Sequence, residues 1–135
     1  MSSDDISIPD IRPKDWIAVQ ADPTSYLPLT VPTFYILLSL APGKNHGYAI
    51  LQDVESLSKG KVHLSTSTLY SALGRLLDQG LIERVPSDLE PESHPGLPRK
   101  AYVLSELGRR ILEAETDRIE TLASIARLRL SEEGI

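Results

Sequence analysis

The sequence predicts a mainly α-helical chain with one small β-hairpin, and three observations carry that prediction. Apolar residues recur at helical spacing in separate stretches between Val31 and Leu130. Good N-caps (Thr30, Ser65, Ser105) open three of those stretches, and glycines follow the ends of others. Two short segments, 81–85 and 99–104, alternate like paired strands around a proline-rich loop.

Residues 1–29 hold four of the ten prolines (Pro9, Pro13, Pro23, Pro28) and five aspartates, and read as an extended N-terminal arm. A short helix over 13–21 carries the only tryptophan, Trp16, whose simplest role is to anchor the arm on the body.

The first helix starts at Thr30 with Pro32 in its first turn, where a missing N–H costs little. Val31, Phe34, Ile36, Leu37, Leu38 and Leu40 are its apolar set, and Ala41-Pro42-Gly43 stops it. The second helix begins near Asn45 or His46 and runs to about Leu57, with Tyr48, Ile50, Leu51 and Val54 as its apolar residues. Ser58-Lys59-Gly60 breaks it, and 61–64 is expected as one short strand.

The third helix has the clearest local signals. Ser65 is its N-cap, Gly80 its left-handed stop, and Leu81 is placed for a contact back to Leu76. Leu69, Leu73, Leu76 and Leu77 share one face, with Ser67, Thr68, Ser71, Arg75 and Asp78 opposite. A buried stripe backed by small hydroxyls and an arginine suits a helix laid in a groove of DNA. The hairpin follows, its loop 86–98 holding four prolines and Gly96. Ser105 then caps a last helix that runs to about Leu130, with Glu106 at one end and Arg127 and Arg129 at the other, as the helix dipole favours.

Three helices, a hairpin and a long helix form a winged helix-turn-helix with a C-terminal extension. The expected organisation is an arm over 1–29, a winged helix over 30–104 and a dimerisation helix over 105–131. On the last helix Leu107, Ile111, Ile119, Leu122, Ile125 and Ala126 form a stripe interrupted by Glu115. Its first turns can pack on their own domain, but beyond Arg118 it outruns a small domain and calls for a second copy.

Composition excludes several alternatives. The 135 residues are 41% hydrophobic, enough for a core, and the absence of cysteine removes thiol chemistry and Cys-based zinc sites. The longest apolar run, 34–41 broken by Ser39, is far below the roughly 20 residues that span a bilayer. The N-terminus opens with Ser2, Ser3, Asp4 and Asp5 rather than a basic and then apolar leader, so a cytoplasmic protein is expected. No carboxylate pair or nucleophile–base set stands out, and His46, His63 and His94 lack ligand-like spacing, so neither an enzyme nor a metal or cofactor site is expected.

The net charge of −5 is unusual for a nucleic-acid binder. The excess lies in the ends: residues 1–43 hold 2 basic and 5 acidic residues, 44–104 hold 7 and 7, and 105–135 hold 5 and 7.

In order, "HGYAILQDV", "LSTSTLYSALGRLLDQGLIERV" and "RKAYVLSELGRRIL" resemble the PadR-like family of transcriptional regulators over about Thr30 to Leu130. The resemblance implies a homodimeric repressor that binds double-stranded DNA, commonly with a small-molecule effector. It implies that Ser65, Thr66, Ser67, Thr68 and Ser71 face DNA at the start of the third helix. Tyr70 would bond a phosphate, Arg75 reach backbone or a base edge, and Arg99 and Lys100 supply the basic pair at the wing base. Lys59 and Lys61 flank a turn and serve either as solvated charges or as DNA contacts. Tyr70 reads equally as the edge of the core.

The chain departs from the family pattern in three places: Ala101 replaces an aromatic, the wing carries Asp88, Glu90 and Glu92, and the arm is long. The competing reading is a winged-helix module that binds protein rather than DNA.

Overall fold

The computed structural model describes residues 22–86 and 100–133. After a 3-10 turn, Pro23–Tyr26, come α1 (Val31–Leu40), β1 (Asn45–His46), α2 (Gly47–Leu57), α3 (Thr66–Asp78), β2 (Ile82–Val85), β3 (Ala101–Leu104) and α4 (Glu106–Glu133). The expected short helix at 13–21, Trp16 and most of the wing loop lie outside the described residues.

Thr30 caps α1 by accepting the Thr33 N–H at 3.3 Å. Apolar nearly all round, α1 is the central helix, and Ile36, Leu37 and Leu40 are buried. Its one buried hydroxyl, Ser39, donates to the Ile36 carbonyl at 2.6 Å, so nothing polar is stranded.

The strand expected at 61–64 is absent, and the third strand is β1 instead. The sheet order is β1-β3-β2, with Asn45 paired to Tyr102 and His46 to Ala101. Asn45 is held there because its side-chain amide donates to Asp53 Oδ2 at 3.0 Å, and α2 therefore begins at Gly47. Residue 62 is tied instead to the end of α2, where the Val62 N–H donates to Ser58 Oγ at 2.9 Å. That connection is tight enough to put Lys59 at φ 55°, left-handed without being glycine.

The third helix ends as its sequence requires. Gly80 has φ 77°, its N–H donates to the Leu77 carbonyl at 3.0 Å, and the Leu81 N–H donates to Leu76 at 3.0 Å. Those two bonds are a Schellman stop. The start of α4 docks on the same corner: the Ser105 N–H donates to the Leu81 carbonyl at 3.0 Å, and Ser105 Oγ bonds the Gly80 carbonyl. A Cβ at Gly108 would lie 2.0 Å from the Leu81 oxygen, so only glycine lets the helix approach.

Leu69, Leu73 and Leu76 of α3, Ile50 and Val54 of α2, and Leu81, Ile82 and Tyr102 around the sheet close on α1 in one core. Leu107, Ile111 and Leu112 belong to it as well. This corrects the dimer assignment of Leu107 and Ile111, which are 1% and 0% exposed in their own domain and have no surface left for a partner. From Ile119 to Glu132 every residue of α4 is exposed.

Candidate nucleic-acid interface

The exposed side of α3 is fixed by what its other side buries. Leu69, Ala72, Leu73 and Leu76 are in the core, which leaves Ser65, Thr66, Ser67, Thr68, Tyr70, Ser71, Arg75 and Asp78 facing out. The hydroxyls at the N-terminus form a local network. Ser65 Oγ accepts the Thr68 N–H at 3.1 Å, donates to Thr68 Oγ1 at 2.8 Å and lies 3.3 Å from Ser67 Oγ. Such a network presents short polar groups close to the backbone, with the positive end of the helix dipole behind them.

Tyr70 and Arg75 stand on opposite flanks of that face, five residues and about 140° apart around the axis. Tyr70 leans toward α2 and the sheet. It is 46% exposed, and its hydroxyl lies so close to Gly47 that a Cβ there would meet it at 2.2 Å. Behind it, Tyr102 is buried and sits across the strands from Arg84. Burial first, and then the neighbouring Tyr70, raises the Tyr102 hydroxyl above its ordinary pKa of 10.0, with Arg84 opposing. Tyr70 thus packs its hydroxyl end against Gly47 while much of the side chain stays exposed.

Arg75 leans toward the N-terminal segment. With Tyr26, Thr30, Thr33 and Gln79 it lines a cleft of about 210 Å³. Lys59 and Lys61 are exposed on either side of Gly60 in the α2–α3 connection, and Lys100 is exposed where β3 begins. Arg99, Asp88, Glu90, Glu92 and His94 lie outside the described residues. Among the described residues no cluster of His, Asp or Glu is arranged to hold a metal ion.

Two exposed side chains near this face were not singled out by the sequence reading. Tyr48, placed there in the apolar set of α2, is 71% exposed. The buried phase of α2 is Gly47, Ile50 and Val54, and position 48 falls about 130° off its centre, a signal the spacing did contain. Arg84 is exposed on β2 and lies opposite Tyr102 of β3, a pairing between elements that no local pattern announces.

The sequence profile of the transcriptional regulator PadR-like family matches residues 36–114. No curated protein matches the chain. Among solved structures, a PadR family transcription regulator from hypervirulent Clostridium difficile is 24% identical over 75% of this chain and 99% of its own, with a TM-score of 0.59. A transcriptional regulator from Clostridium thermocellum is 22% identical over 76% of this chain and 88% of its own, with a TM-score of 0.56. Both share the fold. Bacillus subtilis PadR, solved in complex with operator DNA, is 25% identical over 63% of this chain and 47% of its own, with a TM-score of 0.53. With its profile matched from within α1 into α4, this chain belongs to the PadR-like family of transcriptional regulators.

Proposed function

We propose that this protein is a sequence-specific, double-stranded DNA-binding repressor that acts as a homodimer in the cytoplasm and answers to a small-molecule effector. The observation that carries the DNA-binding part is the outward face of α3: hydroxyls at its N-terminus, Tyr70 on one flank and Arg75 on the other, on a helix whose opposite side is locked into the core. That is the form of a helix read into the major groove, with side chains short enough for the backbone to come close. Lys59, Lys61, Arg99 and Lys100 are the cations we assign to flanking phosphates. The operator DNA bound to Bacillus subtilis PadR supports the same reading.

Homodimerisation is assigned to the distal half of α4, where Ile119, Leu122, Ile125 and Ala126 are exposed on a helix that has left the core. A two-fold dimer would present two α3 helices to a palindromic site. Repression and an effector rest on the family resemblance alone.

Selection from random duplex DNA, followed by titration of the enriched duplex against a scrambled one, tests the central claim. Enrichment of a palindrome is expected, and no enrichment would leave the protein-interaction module, which the net charge of −5 favours.

A further inference from the structure

We propose that the cleft between α3 and the segment leading into α1 binds a small carboxylic acid, and that the acid loosens DNA by taking Arg75 from it. The site stands on the cleft alone. The coupling rests on the DNA-binding reading above, to which it supplies an effector class and a place for the effector.

Three parts of the chain build the walls. Tyr26 and Leu29 stand on the entering segment, Thr33 in the first turn of α1, and Arg75 and Gln79 at the end of α3. Leu76 and Leu81, both buried, add apolar surface. The wall at Leu29 is fixed, because its N–H is held at 3.0 Å by the buried carboxylate of Glu115.

The cleft gathers donors. Arg75 brings a guanidinium, Gln79 an amide and Tyr26 a phenol, and among the described residues none of these three side chains has a hydrogen bond or ion pair. Thr33 Oγ1 accepts from Thr30 Oγ1 at 2.9 Å, so its own O–H is left to donate. Among the described residues no Asp or Glu lines the cleft, although the chain carries 19 acidic residues against 14 basic ones. Donors of this kind, one of them cationic, beside leucine surface complement a carboxylate on a short apolar body. A carboxylate can take the guanidinium by two parallel hydrogen bonds. The volume of about 210 Å³ lies below the roughly 300–1,000 Å³ of pockets that enclose drug-sized ligands, so the acid is small. A bare phosphate would use the donors and leave Leu76 and Leu81 uncovered.

Arg75 is exposed, on the flank of the α3 face assigned to DNA. One guanidinium cannot serve the acid in the cleft and a phosphate or base edge at the same time. Each ligand therefore weakens the other by the same factor.

Titration of cyclohexanecarboxylate into the full-length protein tests the site, with cyclohexanecarboxamide as its uncharged counterpart. The carboxylate should shift the side-chain amide signals of Gln79 in two-dimensional NMR spectra, and the carboxamide should bind about tenfold more weakly or worse. Arg75→Ala and Gln79→Leu, both at exposed positions, should each weaken carboxylate binding about tenfold. At constant ionic strength, saturating carboxylate should weaken wild-type binding to a selected duplex about fivefold or more. Gln79→Leu protein should hold that duplex as tightly as wild type and no longer respond at the same concentration of acid. No shift at Gln79, equal binding of acid and amide, or binding that neither substitution alters would overturn the site. Carboxylate bound at Gln79 with duplex affinity unchanged would overturn the coupling and leave the site standing. If no duplex is selected, the DNA-binding reading and the coupling fall together, while the NMR titration still decides the site.

Discussion

The carboxylate of Glu115 accepts the backbone N–H of Leu29 across 86 residues of sequence, and so fixes where the chain enters α1. Glu115 looked like a break in an apolar stripe. It is a buried acid whose oxygens are occupied by one backbone N–H and the Arg118 guanidinium.

That bond predicts a pH dependence. The Arg118 hydrogen bonds, and after them the Leu29 N–H, hold the Glu115 carboxyl below its ordinary value of 4.5 against the opposing effect of burial. A pKa depressed in the folded state stabilises above the unfolded pKa and loses that contribution as pH falls through the folded one. Wild type should therefore lose stability on acidification below the ordinary carboxylate range. Glu115→Gln should lose less over that window, measured by thermal melts at several pH values. Glu115→Ala should cost about 1–3 kcal/mol at neutral pH by stranding the Leu29 N–H. Identical acid limbs for wild type and Glu115→Gln would refute the assignment.

Two glycines should respond in opposite directions. Gly108→Ala drives a Cβ to 2.0 Å from the Leu81 carbonyl oxygen, a backbone atom that cannot swing away. A loss of at least about 2 kcal/mol is expected, or failure to fold. Gly74 lies in the interior of α3 with nothing within 4 Å of an added Cβ. Gly74→Ala should add about 0.5–1 kcal/mol from backbone entropy alone. Urea unfolding of both variants measures the pair, and a destabilised Gly74→Ala would mean that its face of α3 is more crowded than described.

What was legible follows from where the determinants lie. The cap at Ser65 and the stop at Gly80 are local, and α3 ends where they require. The strand Asn45–His46 was not legible, because two residues become a strand only by pairing with Ala101 and Tyr102 far along the chain. Residues 61–64 have strand-like composition but join neither outer edge of the sheet, because the Val62 N–H is tied to Ser58 Oγ at the end of α2 instead. The spacing of Leu107 and Ile111 is the same as that of the exposed stripe beyond them, so periodicity cannot tell a core contact from a partner contact. The outward hydroxyls of α3 were readable because its leucine face was, whereas the Tyr70–Gly47 contact needed the fold.

Point substitutions on the α3 face and at the start of β3 should separate affinity from folding. Arg75→Ala and Lys100→Ala each remove an exposed cation. Each should weaken binding to a selected duplex while helical content and dimerisation stay unchanged. A cation that meets a phosphate should also lower the magnitude of the salt slope by about 0.9 per contact. Tyr70→Phe keeps the ring and deletes the hydroxyl, the atom nearest Gly47, so a loss of DNA affinity without loss of stability assigns that hydroxyl to a phosphate. Unchanged affinity would leave Tyr70 as packing.

The remaining prediction concerns how a chain with a net charge of −5 holds DNA. The candidate cations per subunit are Lys59, Lys61, Arg75, Arg99 and Lys100, in a middle segment that is itself neutral. Each neutralised phosphate contributes about −0.9 to the slope of log affinity against log salt. A dimer making roughly 4–8 such contacts should give a slope of about −4 to −7 on its selected duplex. Acidic residues distal on α4, such as Glu120 and Glu132, affect bound DNA little if they lie beyond a screening length of about 8–10 Å at physiological salt. Binding to scrambled duplex, which depends almost wholly on the electrostatic contribution, should be weak and should vanish first as salt rises. Fluorescence anisotropy with both duplexes at several salt concentrations measures slope and specificity together. A slope near zero on the selected duplex would remove phosphate contact from the account and return α3 to the role of a protein-binding surface.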